Sequence, residues 1–174
     1  MFNRPAELAL QFIIPLRKLT GLLMPYTKSR RCLVMLDQMY TEIILEHNRN
    51  SPHKGPLETA SAVERGHNPN CGDDLTLHLK VENDTIVDGK FSGSGCAISQ
   101  ASMSIMLDLV IGKDVHAALE LTDIFTKMIK GQTLSPDEKI RLEDAQIFES
   151  LGKMPARVKC GTLGWHCLRV ALTK

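Results

Sequence analysis

The chain has 174 residues, of which 43% are hydrophobic and 24% charged, with a formal net charge of +1. That length suits one domain with a sizeable core, and no stretch offers the ~18 consecutive, predominantly apolar residues needed to cross a membrane. Residues 1–34 carry six basic side chains against Glu7 alone, while the remaining residues carry 15 basic and 19 acidic ones; the compact part is mildly acidic and has no basic stripe for nucleic acid.

Residues 1–34 form the first unit. They are basic, acid-poor and interrupted by Pro5, Pro15 and Pro25. Three readings fit them: a disordered or loosely docked extension, an organelle-targeting peptide, or a start assigned upstream of the true one. The second unit, 35–174, holds the regular patterns. Leu36, Met39, Tyr40, Ile43 and Ile44 recur at helical spacing and predict a helix from Met35 to about His47. Pro52, Gly55 and Pro56 then break the chain. A short strand is expected over 58–65, around Ala62 and Val63.

Leu75, Leu77, Leu79 and Val81 alternate with Thr76, His78 and Lys80, the pattern of a half-buried strand. Asn83-Asp84 makes a turn, and Ile86–Phe91 returns as the partner strand. The glycine-rich Ser92–Gly95 leads into a helix from about Cys96 to Ile111, ended by Gly112. A second helix is predicted over Val115–Ile129, closed by Gly131. Ser135-Pro136-Asp137-Glu138 opens another, with a capping serine, proline at the first position and acids near the positive end. Pro155 ends the irregular stretch that follows, and a last helix spans Val158–Leu172. The predicted class is α+β: a small antiparallel sheet of about three strands with helices packed on one face.

Five cysteines, an odd number without a secretory signal, argue against a disulfide framework and for free thiols in a reducing cytosol. Three of them sit at turns or helix starts. Cys71 lies in Asn68-Pro69-Asn70-Cys71-Gly72-Asp73, where Gly72 permits a tight turn and lets Asp73 face the same point as Cys71. Cys96 follows Gly93 and Gly95 at a helix start, whose free N–H groups favour negative charge on sulfur. Cys160 has Lys159 beside it and Arg157 three residues earlier, both able to favour a thiolate. The hairpin carries Cys71 to its entrance and Cys96 to its exit, so its antiparallel strands bring the two together. Cys160 joins them only through the tertiary fold.

Three sulfurs and one carboxylate oxygen suit tetrahedral Zn²⁺, and could equally hold iron in a cluster. Oxygen is the harder donor, so Asp73 points to a site that exchanges a ligand or releases its cargo. Cys32 and Cys167 read as packing residues, Cys167 two helical turns beyond Cys160. His67 reads as a surface residue near the motif.

These motifs, with Gly95-Cys96-Ala97-Ile98-Ser99-Gln100-Ala101-Ser102 and Arg157-Val158-Lys159-Cys160 followed by Leu163 and Trp165, resemble the SufU/IscU family of iron–sulfur cluster assembly proteins, the NifU N-terminal-like family, from about Met35 to Leu172. The resemblance implies a small α+β fold with a metal site at one exposed end, and matches Cys71, Asp73, Cys96 and Cys160 to its ligand positions. Lys159, where the IscU branch has histidine, and the longer segment between Cys96 and Cys160 place the chain on the SufU side.

SufU-like proteins are similar to zinc-dependent sulfur acceptors for a pyridoxal-phosphate cysteine desulfurase, here a SufS-like partner, and supply downstream iron–sulfur assembly proteins. On that reading Cys71 accepts the persulfide sulfur, Asp73 and Arg157 assist at the site, and the protein is sulfurtransferase-like rather than a conventional enzyme. Two alternatives stay open: a scaffold that builds a [2Fe–2S] cluster on the same Cys/Asp ligands, and a structural zinc module.

Overall fold

The computed structural model describes residues 41–174. The expectations for 1–34, for Cys32 and for the first turns of the predicted 35–47 helix lie outside the described residues. Helix α1 covers 41–49. Strands β1 (Ala62–Asn68), β2 (Asp73–Glu82) and β3 (Thr85–Ser94) follow, then α2 (Ala97–Val110), α3 (Val115–Ile129), α4 (Pro136–Leu142), a 3-10 segment (Glu143–Lys153) and α5 (Pro155–Thr173). The strands form an antiparallel sheet in the order β1-β2-β3. This is the α+β arrangement predicted.

The hairpin forms for local reasons. Asn83 and Asp84 both adopt positive φ, at 49° and 60°, which the tight turns matching strand twist require and which Asn and Asp tolerate best. Leu75, Leu77 and Leu79 are fully buried, while Thr76, His78 and Lys80 are half-buried on the opposite face. Period-two alternation thus puts one face of β2 in the core.

β1 lies about three residues later than its predicted 58–65 position. Gly66, His67 and Asn68 extend it in register with Leu75, Asp74 and Asp73. Composition hides this extension because it rests on close packing. A Cβ at Gly66 would sit 2.6 Å from Cys167 Sγ and 3.0 Å from Leu163, so the missing side chain is what admits α5 against the strand.

The stretch read as a plain break also pairs. Phe91 N–H donates to the His53 carbonyl and Gly55 N–H to the Phe91 carbonyl, both at 2.8 Å. His53 further binds Asp108 through Nε2 at 2.7 Å, and His47 meets Ser104 at 3.1 Å. The segment after α1 is thereby fastened to the free side of β3 and to α2.

Helix α2 is the centre of the core: Ala101, Met103, Ile105, Met106, Leu107 and Val110 are all at most 1% exposed. A helix apolar on nearly every side must be covered on nearly every side, and α5, β3 and the 3-10 segment do so. Asp114 caps α3 by accepting from Ala117 N–H at 2.8 Å. Ser135 and Glu138 cap α4 reciprocally.

α5 begins at Pro155 rather than Val158, because proline's fixed φ and missing N–H suit a first helical position. Trp165 on α5 stacks on Phe125 of α3 with centroids 4.2 Å apart, and its indole N–H donates to Ser102 on α2 at 3.2 Å. These contacts bring the N-terminal turns of α5 to the end of the sheet where β1 and β2 meet.

Candidate metal centre

Cys71 occupies the turn between β1 and β2. Its N–H donates to the Asn68 carbonyl at 3.2 Å, Gly72 takes φ +70°, and the thiol is exposed. Asp73 opens β2 on the core side and is fully buried. Cys160, in the second turn of α5, is 1% exposed. Its Sγ lies 3.0 Å from Cys71 Sγ. One ligand atom from each of Cys71, Asp73 and Cys160 falls within 4.8 Å of the other two. Side chains separated by 89 residues thus converge at one end of the sheet.

Cys96 stands beside this group but turns its backbone toward it. Its N–H donates to Asp73 Oδ1 at 2.7 Å. Its Sγ instead accepts from Ser99 N–H at 3.5 Å and caps α2. Of the four predicted ligands, three present their donor atoms together and the fourth holds the carboxylate in place. Arg157 and Lys159 are exposed on the first turns of α5, and no described polar contact joins either side chain to the cluster. His67 is exposed, as expected, and Cys167 is buried behind Gly66.

Burial by itself would push the Asp73 carboxyl up. The Cys96 N–H, the Cys160 thiol, the Ser99 hydroxyl and the Asn68 amide outweigh it, and the pKa is held below the ordinary value. Cys160 moves the other way: burial pushes its thiol up, and the hydrogen bonds and charges of Cys71, Asp73 and Cys96 add to the rise. Lys159 and Arg157, which would favour a thiolate only by lying close to the sulfur, are exposed, and the groups beside the sulfur are Cys71, Asp73 and Cys96.

Two sulfurs and a carboxylate gathered in a partly buried pocket are mutually repulsive once ionised, and a cation reverses that balance. The donor set fits zinc in kind: Zn–S bonds of about 2.3 Å imply a tetrahedral edge of roughly 3.8 Å, the donor atoms lie within 4.8 Å of one another, and the two sulfurs, 3.0 Å apart, would part slightly to hold the ion. Among the described residues no other group of three or more Cys, His, Asp or Glu side chains could hold a metal in this way.

The residues that sequence reasoning missed are Asn68 and Ser99. Asn68 Nδ2 lies 3.3 Å from Asp73 Oδ2 and 3.4 Å from Cys160 Sγ, and Ser99 Oγ donates to Asp73 Oδ1 at 3.0 Å. Both sit inside the quoted motifs, but nothing local marks a polar side chain as buried. One labelling result follows. Cys167 is buried and its thiol is pushed up to about 11, which leaves roughly one molecule in a thousand as thiolate at pH 8. Brief iodoacetamide treatment of the folded protein should modify Cys71 and spare Cys167 until the chain is unfolded. Peptide mapping that finds Cys167 modified as fast as Cys71 contradicts this packing.

A small α+β domain with a cysteine–aspartate cluster at the tip of an antiparallel sheet is the class that fold and site define. The family model described as the NifU-like N terminal domain matches residues 39–128, and the chain belongs to that family. It is similar to the zinc-dependent sulfurtransferase SufU of Bacillus subtilis (strain 168), 39% identical over 80% of this chain and 92% of that protein. It is also similar to the iron–sulfur cluster assembly scaffold protein IscU of Streptococcus pyogenes serotype M1, 40% identical over 82% and 87% of the two chains.

Among solved structures it resembles a candidate iron–sulfur cluster assembly scaffold protein for the SUF system from Fervidobacterium islandicum AW-1. That match has a TM-score of 0.70 and 37% identity, over 78% of this chain and 97% of the other. No helix among the described residues is long and apolar enough to cross a membrane.

Proposed function

We propose that this protein is a zinc-dependent sulfur acceptor in iron–sulfur cluster assembly, taking sulfur on Cys71 from the persulfide of a pyridoxal-phosphate cysteine desulfurase. The observation that carries the reading is the asymmetry of the cluster: Cys71 is exposed while Asp73 and Cys160, its neighbours in the group, are buried. A thiol at the rim of a buried donor set can reach a partner without dismantling the rest. Lys159, and the α4 and 3-10 elements between Cys96 and Cys160, favour the SufU-like branch. The near-equal identities to a SufU and an IscU leave that choice to chemistry.

Cys71, Asp73, Cys96 and Cys160 would hold the zinc, whose positive charge would keep the thiols deprotonated at neutral pH. The Cys71 thiolate attacks the terminal sulfur of the partner's persulfide. A new S–S bond forms at Cys71 as the bond to the desulfurase cysteine breaks. That cysteine leaves as a thiolate, and any proton on the terminal sulfur stays with the transferred sulfur, now on Cys71. Sulfur changes hands with no outside oxidant or reductant. Asp73, held by its donors, stays in place, and exposed Arg157 offers a cation to the incoming partner. Free thiols of this kind fit a cytoplasmic setting, and downstream iron–sulfur assembly proteins receive the sulfur.

A second reading has the relatives' scaffold role behind it: the same donors would assemble a [2Fe–2S] cluster as cargo, with Asp73 keeping it labile. Elemental analysis of protein purified without oxygen separates the two. Zinc near one equivalent, with no visible absorbance, is the expected result. Brown protein carrying iron and sulfide transfers the assignment to the scaffold.

A further inference from the structure

We infer that Asn68 is the positioning residue of this centre, and that its hold on Asp73 and Cys160 is what leaves Cys71 as the ligand free to move. The inference deepens the proposed function and rests on its ligand set. Asn68 is 3% exposed and uses both ends of its amide. Oδ1 accepts from Asn70 N–H at 3.3 Å, while the backbone carbonyl accepts from Cys71 N–H; together they shape the 68–71 turn. With Oδ1 committed to the turn, Nδ2 must face the cluster. There it donates to Asp73 Oδ2 at 3.3 Å and to Cys160 Sγ at 3.4 Å. One amide therefore spans two of the donor residues, one on β2 and one on α5.

The hydrogen bonds divide unequally over the set. Asp73 Oδ1 is claimed by Cys96 N–H and the Ser99 hydroxyl, which leaves Oδ2, on the Asn68 side, as the oxygen open to a cation. Cys160 Sγ has the Asn68 amide, and Cys96 Sγ has Ser99 N–H. Among the described residues no amide donates to Cys71 Sγ; its polar contact is with Cys160, itself one of the donor set. Groups that orient ligands from behind determine both how tightly the metal is held and which ligand lets go. Here three residues are braced and one is not, and the unbraced one is exposed.

The test uses the full chain loaded with zinc, with Asn68→Ser and Asn68→Ala as variants. Serine can still accept from Asn70 N–H and keep the turn, but it is too short to bridge Asp73 and Cys160; alanine loses both functions. Zinc affinity is read by competition with a chromogenic chelator, and alkylation of the loaded protein is mapped by mass spectrometry. In the wild type Cys71 should label well ahead of Cys160. Both variants should bind zinc about 10–100-fold more weakly, and Cys160 should label at a rate approaching that of Cys71.

An Asn68→Ser protein with wild-type affinity and labelling overturns the inference, since the residue then serves the turn alone. Should both substitutions unfold the chain, the loaded wild type still decides: Cys160 labelled as fast as Cys71 overturns it. A wild type that holds zinc in this order yet takes no sulfur from a desulfurase defeats the relay while the role of Asn68 stands.

Discussion

Replacing Cys71 by serine should abolish sulfur acceptance, lowering it about a hundredfold or more, while leaving the fold intact. The side chain is exposed and fills no part of the core. The backbone N–H that closes the 68–71 turn is unaffected by the change. A serine hydroxyl matches the shape of the thiol, but it is not ionised at neutral pH and cannot attack a persulfide. The measurement is incubation with a cysteine desulfurase and cysteine, followed by mass spectrometry for a gain of one sulfur atom, with circular dichroism as the folding control. A Cys71→Ser protein that still gains sulfur and still accelerates the desulfurase fully would falsify the acceptor assignment.

Gly93→Ala should be the most damaging single-methyl change near the site. Gly93 has φ +107°, and a Cβ there would lie 2.1 Å from the Asp74 carbonyl oxygen. Neither strain can be relieved by a rotamer, because the opposing atom is backbone in the paired strand. Gly93 is the register partner of Leu75, two residues beyond Asp73 and three before Cys96. The pair cannot spread without pulling the Cys96 N–H from the Asp73 carboxylate. A loss of about 3–5 kcal/mol is expected, together with weaker zinc binding. Chemical denaturation monitored by circular dichroism checks the first and chelator competition the second. A variant within 1 kcal/mol of wild type would show that the hairpin end is looser than its contacts imply.

The elements legible in the sequence are those whose cause is local. The β2–β3 hairpin was written in the Leu75–Val81 alternation and the Asn83-Asp84 turn, α2 and α3 in their closing glycines Gly112 and Gly131, and α4 in its Ser135-Pro136-Asp137-Glu138 opening. The neighbourhood of Cys71 and Cys96 followed from strand geometry alone. The later placement of β1 was hidden because Gly66, His67 and Asn68 do not alternate; α5 decides their place by pressing on a residue without a side chain. The pairing of 53–55 with β3 was hidden by Pro52, Gly55 and Pro56, which read as a break.

At the site, residue types and spacings picked out Cys71, Asp73, Cys96 and Cys160, but not how each would be held. The orientation of the Cys96 sulfur toward Ser99 N–H is set by the helix start meeting Asp73. The bracing by Asn68 depends on α5 arriving at the β1–β2 turn. Cys160 illustrates the limit: its sequence neighbours are cations, but its spatial neighbours are a carboxylate and two thiols.

Among the described residues, the pairing of 53–55 with β3 leaves β1 as the open border of the sheet. An open border is where foreign chains add and fibrils nucleate. Here it carries Glu64, paired with Lys174, and Arg65, paired with Asp74 at 2.6 Å. A strand added here would have to displace or lie beside these charges, a feature that discourages edge pairing, although Val63 on the same strand is exposed; the border therefore relies on charge where the opposite edge relies on pairing.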